Sequence, residues 1–243
     1  MRGLIHIHTT FSYDGEASIE EICSFSRKRG YRFIAITEHS DNFSSKRMEV
    51  LVGTCEKLSN ASFIAIPGIE FSCDGNMHLL GIGVTEICNS TGALEIVDHI
   101  RKSGGLAILA HPLLENYEIK KELASKLDGI EIWNAAKDGG FIPRSKALEL
   151  FTRLRKENPR LLGFGGLDLH RLPKFPKLSI SINNGVENST ESILRALKGG
   201  DFKIEGRYYK LNSAPDASSM TRVSILLLRK VLDLLKALRD WHK

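Results

Sequence analysis

Paired thiols are the first thing this chain lacks. Its four cysteines, Cys23, Cys55, Cys73 and Cys88, are widely spaced and form no Cys-x-x-Cys pair. That argues against a structural zinc ribbon or a disulfide framework and fits a reducing compartment. Long hydrophobic runs are also missing. No apolar stretch approaches the roughly 18 residues that a membrane span requires, so no membrane partner is expected. There is no Gly-x-Gly-x-x-Gly or P-loop pattern. Gly163-Phe164-Gly165-Gly166 matches neither, and its place just before Asp168 suggests close packing instead. Neither Ser12 nor Ser40 has the elbow context of a serine hydrolase. Met1-Arg2-Gly3-Leu4-Ile5-His6 enters a strand-like segment at once, which leaves no room for a signal peptide, and a cytoplasmic location is expected.

What is present is a chain of 243 residues with 42% hydrophobic content, enough for one sizeable core. No internal repeat, low-complexity tract or Pro/Gly linker marks a boundary, so a single domain over residues 1–243 is expected. The net charge of +5 is compatible with phosphorylated or nucleic-acid partners, and equally with an ordinary solvated surface.

Short apolar runs alternate with stretches of helical period, the pattern of strand–helix units around a parallel sheet. Candidate strands are Leu4–His8, Phe33–Thr37, Phe63–Ile66, Leu106–Ala110, Gly129–Trp133, Leu161–Phe164 and Leu178–Ile182, giving an α/β barrel of seven strands. Helices are expected over Ser18–Arg29, Ser45–Leu58, Ala93–Ser103, Glu115–Leu127, Arg144–Lys156 and Glu191–Lys198. Ser18 and Glu21 read as a capping box and Gly30 as the helix stop. Phe71–Val84 reads as an extra hairpin turning at Asp74-Gly75-Asn76. A short strand over Phe202–Tyr209 should lead to a final helix, Ser219–Trp241, whose apolar face packs on the barrel.

Six of the eight histidines fall at or just beyond apparent strand ends. His6 and His8 are two apart on the first strand, so their side chains leave one face. His39 follows the second strand, and Glu70 ends Ile64-Ala65-Ile66-Pro67-Gly68-Ile69-Glu70. His78 sits just past the hairpin turn and His111 directly after Ala110; Asp168 and His170, again two apart, follow the sixth strand; Asp14 lies in the loop after His8. In a parallel barrel the carboxyl ends of all strands open on one face, so ligands far apart in sequence converge there. A lone histidine at a strand end is more often structural. So many ionisable groups gathered without a metal would cost several kcal/mol in desolvation and repulsion. Imidazole and carboxylate without thiolate suit hydrolytic Zn, Mn or Fe. His99, inside a helix, and His242, near the end, read as incidental.

These segments resemble the PHP (polymerase and histidinol phosphatase) superfamily. The matching pieces are His6-Ile7-His8-Thr9 with Asp14-Gly15, Ile36-Thr37-Glu38-His39, Gly68-Ile69-Glu70, Met77-His78-Leu79-Leu80-Gly81, Ala110-His111-Pro112, Gly129-Ile130-Glu131-Ile132-Trp133-Asn134 and Gly166-Leu167-Asp168-Leu169-His170. They come in the family's order; no match extends beyond about residue 171. The resemblance implies a distorted seven-stranded (β/α)7 TIM-like barrel with a trinuclear metal centre. His6, His8, Glu70 and Asp168 would hold one ion, Glu70, His78 and His111 a second, and Asp14, His39 and His170 a third. Glu38 stands where the family more often has Asp, a departure that touches the hydrogen bonding around the ligands.

The implied activity is a metal-dependent phosphoesterase with two to three divalent ions, hydrolysing phosphomonoesters with a metal-activated hydroxide. Asp168, His170 and Arg144 are the expected catalytic residues, and Arg144, Asn134 and Arg171 the candidates for gripping substrate. Too few residues separate His78 from His111, and His111 from Asp168, to insert a cap domain. A nucleotide, an oligonucleotide end or a small phosphorylated metabolite would all fit an open mouth, and the weight falls on a nucleotide-type phosphomonoester. The oligomeric state is not legible. A 3′–5′ exonuclease module is the main alternative, weakened by the absence of a long basic–aromatic stripe. A non-catalytic scaffold has no need of nine ligand-competent residues.

Overall fold

The computed structural model describes residues 1–41, 43–112, 118–183, 185–215, 224–225 and 227–231. The chain opens with β1 (Arg2–Ile5), α1 (Ile19–Arg27), β2 (Phe33–Ala35), β3 (Glu38–His39) and α2 (Ser45–Leu58). Next come β4 (Ile64–Ile66), β5 (Gly68–Cys73), β6 (Met77–Ile82), α3 (Ala93–Lys102), β7 (Leu106–Leu109) and α4 (Lys121–Lys126). It continues through β8 (Gly129–Asn134), α5 (Ala135–Asp138), α6 (Ser145–Leu154), β9 (Leu162–Gly166), β10 (Leu178–Ile182), α7 (Thr190–Gly199), β11 (Phe202–Gly206) and β12 (Lys210–Asn212).

The helices start where the sequence offers caps. Ser18 and Glu21 form the reciprocal capping box of α1, which buries Ile19, Ile22 and Cys23 against the sheet. Such a cap contributes about 1 kcal/mol, and each aliphatic side chain buried in full adds roughly 1.5–3 kcal/mol. α2 spans the expected Ser45–Leu58, capped by the Ser44 side chain. Of the expected final helix, residues 224–225 and 227–231 are helical, with Ile225 in the core; the remainder of Ser219–Trp241 lies outside the described residues, as do 115–117 of the expected Glu115–Leu127 helix and His242. No described helix is long and apolar enough to cross a membrane.

The strands depart from one all-parallel ring. They form two six-stranded sheets of mixed direction, β12-β11-β10-β1-β2-β4 and β3-β5-β6-β7-β8-β9, and no closed barrel is found among the described residues. The expected seventh strand, Leu178–Ile182, runs antiparallel to β1 and carries β11 and β12 outward as a meander. The hairpin expected as an addition is β5–β6, and β6 takes a full place between β5 and β7, antiparallel to both. The reason is local. Gly75 and Asn76 both adopt left-handed backbone (φ 74° and 61°), which returns the chain in a three-residue turn where a helical crossover would have kept the strands parallel.

The two sheets meet at the carboxyl ends of their strands. The amide of Leu167 donates to Ile5 O at 2.9 Å, that of His8 to Leu169 O at 2.8 Å and that of Thr37 to Ile7 O at 2.9 Å. Ser40 N–H reaches Glu70 O at 2.9 Å. The chain segments that carry the histidines are thereby stitched to one another beyond the regular ladders.

Candidate metal centre

Three of the nine candidate ligands are delivered by backbone that L-residues rarely adopt. Among the described residues four non-glycine residues have positive φ, and three of them are His6 (61°), His111 (27°) and Asp168 (51°). Each follows the last residues of a strand: β1, β7 and β9 respectively. Left-handed backbone at such residues costs roughly 1–2 kcal/mol. It turns the chain sharply out of the sheet, and strain of this kind gathers at functional sites.

Glu70, buried at 1% exposure, is the hub. Its Oε1 lies 3.0 Å from His78 Nδ1 and 3.0 Å from His111 Nε2. Its Oε2 lies 3.3 Å from His6 Nε2, 3.1 Å from His8 Nε2 and 3.4 Å from His39 Nδ1. Asp168 Oδ1 is 3.7 Å from His6 Nε2 and 3.8 Å from His8 Nε2. At the rim, Asp14 Oδ2 is 3.0 Å from His170 Nε2 and 3.4 Å from His39 Nε2. All nine residues singled out in the sequence are thus in one cluster. Within it, three sets have donor atoms lying within 4.8 Å of one another: His6, His8 and Glu70; Glu70, His78 and His111; and His8, His39 and His170.

A further layer of residues aims these donors. His6 Nδ1 donates to Glu131 Oε1 at 2.7 Å, which leaves Nε2 facing Glu70. The other Glu131 oxygen accepts the His111 amide at 2.9 Å and the Asn134 side-chain amide at 3.0 Å. Gly166 lies against Glu131: a Cβ there would come within 1.7 Å of its Oε1. The tight glycine run before Asp168 makes room for this carboxylate. Around His8, Ser12 Oγ donates to Glu38 and accepts the His39 amide at 3.0 Å, with His8 Nδ1 at 3.4 Å. Glu38 also accepts Thr9 Oγ1 at 2.6 Å and the Thr9 amide. Its place is therefore the loop beneath His8 and His39, not the ligand cluster, and burial raises its pKa.

The electrostatics ask for a cation. Burial opposes charge on His6, yet the carboxylates of Glu131, Glu70 and Asp168 outweigh it and hold its pKa well above the ordinary value. Burial alone would raise Glu70, but His6 and the hydrogen bonds from His111, His6 and His78 hold it well below the usual carboxylate range. His8 and His39 are pushed down by burial and stay neutral, the form that ligates metals. Their Nε2 atoms are buried without a well-formed hydrogen bond, His8 Nε2 facing Glu70 and His39 Nε2 facing Asp14. A buried polar atom left unpaired costs about 1–3 kcal/mol. Two such lone pairs beside an ionised carboxylate fit divalent ions held by His and carboxylate donors.

The expected substrate-binding residues are placed differently from one another. Asn134 is buried, donates to Glu131 and, at 3.4 Å, to Asp168, and so braces ligands. Arg144 pairs through Nε with Asp138 Oδ1 at 2.6 Å and donates to Lys137 O at 2.8 Å. Arg171 is exposed, and among the described residues no hydrogen bond or ion pair joins its side chain to the cluster. Sequence reasoning passed over Lys137, whose Nζ is 3.7 Å from Asp168 Oδ2 and 41% exposed. It also gave Glu131 no role, although a lone carboxylate in the wholly buried strand β8 is a readable signal. The His99 ring donates through Nε2 to Glu86 O at 3.1 Å and packs edge-on to Phe71, away from the cluster.

The PHP domain model matches residues 5–210. An uncharacterized protein of Methanocaldococcus jannaschii, MJ1587, is 27% identical over 161 residues, which cover 58% of this chain and 86% of that protein. Among solved structures, a two-domain protein from Bacteroides vulgatus containing a predicted PHP-like metal-dependent phosphoesterase superposes with a TM-score of 0.62 at 16% identity. That match covers 85% of this chain, which spans 64% of the Bacteroides protein's length. PsfC from Pseudomonas syringae matches with a TM-score of 0.60 at 13% identity, over 93% of this chain and 98% of its own. At such identities the two structures speak for the fold alone.

Proposed function

The chain belongs to the PHP domain family, and from that premise we propose that it is a metal-dependent phosphoesterase acting on phosphomonoesters. The observation that carries this reading is the Glu70 carboxylate, whose two oxygens lie within 3.4 Å of five imidazole nitrogens from four different stretches of chain. A structural core has no use for such convergence. In our reading β1, β2–β3, β4–β5, β6, β7, β8 and β9 make up a distorted ring of seven staves, joined at the Ile7–Leu169 bridge, with β10–β12 outside it. The whole chain would then be one domain built around that ring.

We assign His6, His8, Glu70 and Asp168 to one ion, Glu70, His78 and His111 to a second, and Asp14, His39 and His170 to a third, with Zn, Mn or Fe as the candidates. When bound, such ions supply a hydroxide nucleophile near neutral pH and offset phosphate charge. The chain's own residues do the rest. Glu131 fixes the tautomer and tilt of His6, and Ser12 does the same for His8. His170 Nδ1 donates to Asp168 O at 3.1 Å, which leaves its Nε2 for Asp14. Asn134 restrains Asp168. Lys137, partly exposed at the edge of Asp168, is positioned to meet phosphate oxygens, while Arg144 locks the turn that carries Lys137 by holding Asp138 and the Lys137 carbonyl. A nucleotide-type phosphomonoester is the substrate class we favour.

The test couples elemental analysis of purified protein with release of phosphate from p-nitrophenyl phosphate and nucleotides under Mn and Zn. Two to three ions per chain and chelator-sensitive turnover are expected. Protein that remains metal-free and inactive after reconstitution would refute the enzyme reading.

A further inference from the structure

The two sides of the cluster differ in room. On one side, the space among His111, Asn134 and Arg144 measures about 10 Å³, scarcely enough for one water. On the other, a cavity of about 670 Å³ opens over His39 and His78. Pockets of several hundred cubic ångströms enclose whole small organic molecules. Among the described residues, it is the His39–His78 side that has space for the organic part of a phosphoester.

The wall of that cavity includes Tyr13. Its ring stacks on the His39 imidazole, centroids 5.1 Å apart and planes 21° from parallel, yet the residue is 80% exposed. One face is thus seated on a candidate ligand and the other is open. The side chains on either side of it are held in place: Ser12 by Glu38 and the His39 amide, and Asp14 by His170. Across the cavity, the Arg47 guanidinium lies over the rings of Phe43 (5.2 Å) and Phe11 (5.9 Å) and donates to the Phe11 carbonyl, a cation held in place on the rim. Asp41 on the same rim is engaged by Ser72 Oγ at 2.7 Å.

We propose that Tyr13 is a specificity-determining residue whose open face stacks on a planar ring in the organic moiety of the substrate, selecting aryl or nucleoside phosphates over alkyl ones. This rests on the phosphoesterase reading above. Tyrosine suits the task, because a ring with only two side-chain torsions, already packed on one face, loses little entropy when it stacks on the other.

The experiment compares adenosine 5′-monophosphate with glycerol 3-phosphate, which share a phosphate monoester and differ in the ring, on metal-reconstituted protein. Stacking on an aromatic side chain is worth about 1–3 kcal/mol per base. The ratio of kcat/KM between the two substrates should therefore fall by about tenfold in Tyr13→Leu and be retained in Tyr13→Phe. In parallel, calorimetry measures binding of the non-hydrolysable phosphonate of adenosine and of methylphosphonate; wild type should prefer the former, and Tyr13→Leu should lose that preference. An unchanged ratio in Tyr13→Leu, or Tyr13→Phe behaving like Tyr13→Leu, overturns the proposal. So do equal phosphonate affinities in wild type, or no binding of either. Protein that hydrolyses neither ester while still preferring the adenosine phosphonate would overturn the phosphoesterase reading and leave Tyr13's role standing.

Discussion

The two flanks of the cluster share Glu70 but are built on opposite lines. The flank of His6, His111 and Asp168 is closed and over-braced: Glu131 accepts three donors, Asn134 ties Glu131 to Asp168, and Asp138 occupies Arg144. The flank of His39, His78 and Asp14 is open, with Tyr13 exposed and His170 and Asp14 each about one-third accessible. The difference teaches how one set of donors can be both rigid and reachable. Buried carboxylates fix geometry on the flank with the least room, and a loop pinned from beneath leaves the other flank free for the bulk of a ligand.

The largest effect should come from the residue both flanks share. Glu70→Ala should remove metal from the whole cluster and lower turnover by at least about a thousandfold, measured by elemental analysis and phosphate release, and Asp168→Ala should come close to it. If near-normal rates survive in either, the ligand assignment is wrong. On the closed flank, Glu131→Gln removes the carboxylate from His6, and metal affinity should fall about 10–100-fold while kcat recovers at saturating metal. A competitive chelator titration measures the first and activity against added metal the second. Ser12→Ala is the open-flank counterpart. It removes the acceptor beneath His8 and His39, and we expect a smaller loss of metal affinity, about tenfold at most, in the same titration. An Ser12→Ala deficit larger than that of Glu131→Gln would reverse our ranking of the flanks.

The smallest effect separates two cations. Lys137→Ala should raise KM for a phosphomonoester by several-fold. Arg144→Ala, which loosens the turn without removing the cation nearest Asp168, should raise it less and lower the melting temperature by a few degrees. A larger KM change for Arg144→Ala would return the phosphate-gripping role to that residue.

Much of this was legible residue by residue. The capping box at Ser18 and Glu21, the bounds of α2 and the hairpin turn at Gly75 follow from side-chain chemistry acting within a few positions, and a sequence displays that directly. The nine candidate ligands were legible because imidazoles and carboxylates at the ends of apolar strands have little other reason to be there. Glu131 was readable in principle and passed over. Lys137 and Tyr13 were not readable, since a lysine or tyrosine in a loop is ordinary until its neighbours are known. The antiparallel course of Leu178–Ile182 was likewise hidden: a buried apolar run has the same composition whichever way it pairs.

By itself, then, the sequence determined the candidate donor set, many of the strand and helix segments and the family, because each depends on residue type and short-range spacing. The tertiary structure decided that the strands split into two mixed sheets, that Glu70 and not another carboxylate became the hub, and that one flank closed while the other stayed open. Those outcomes depend on which distant segments pack against each other, and packing of that kind is fixed by three-dimensional fit that no local pattern records.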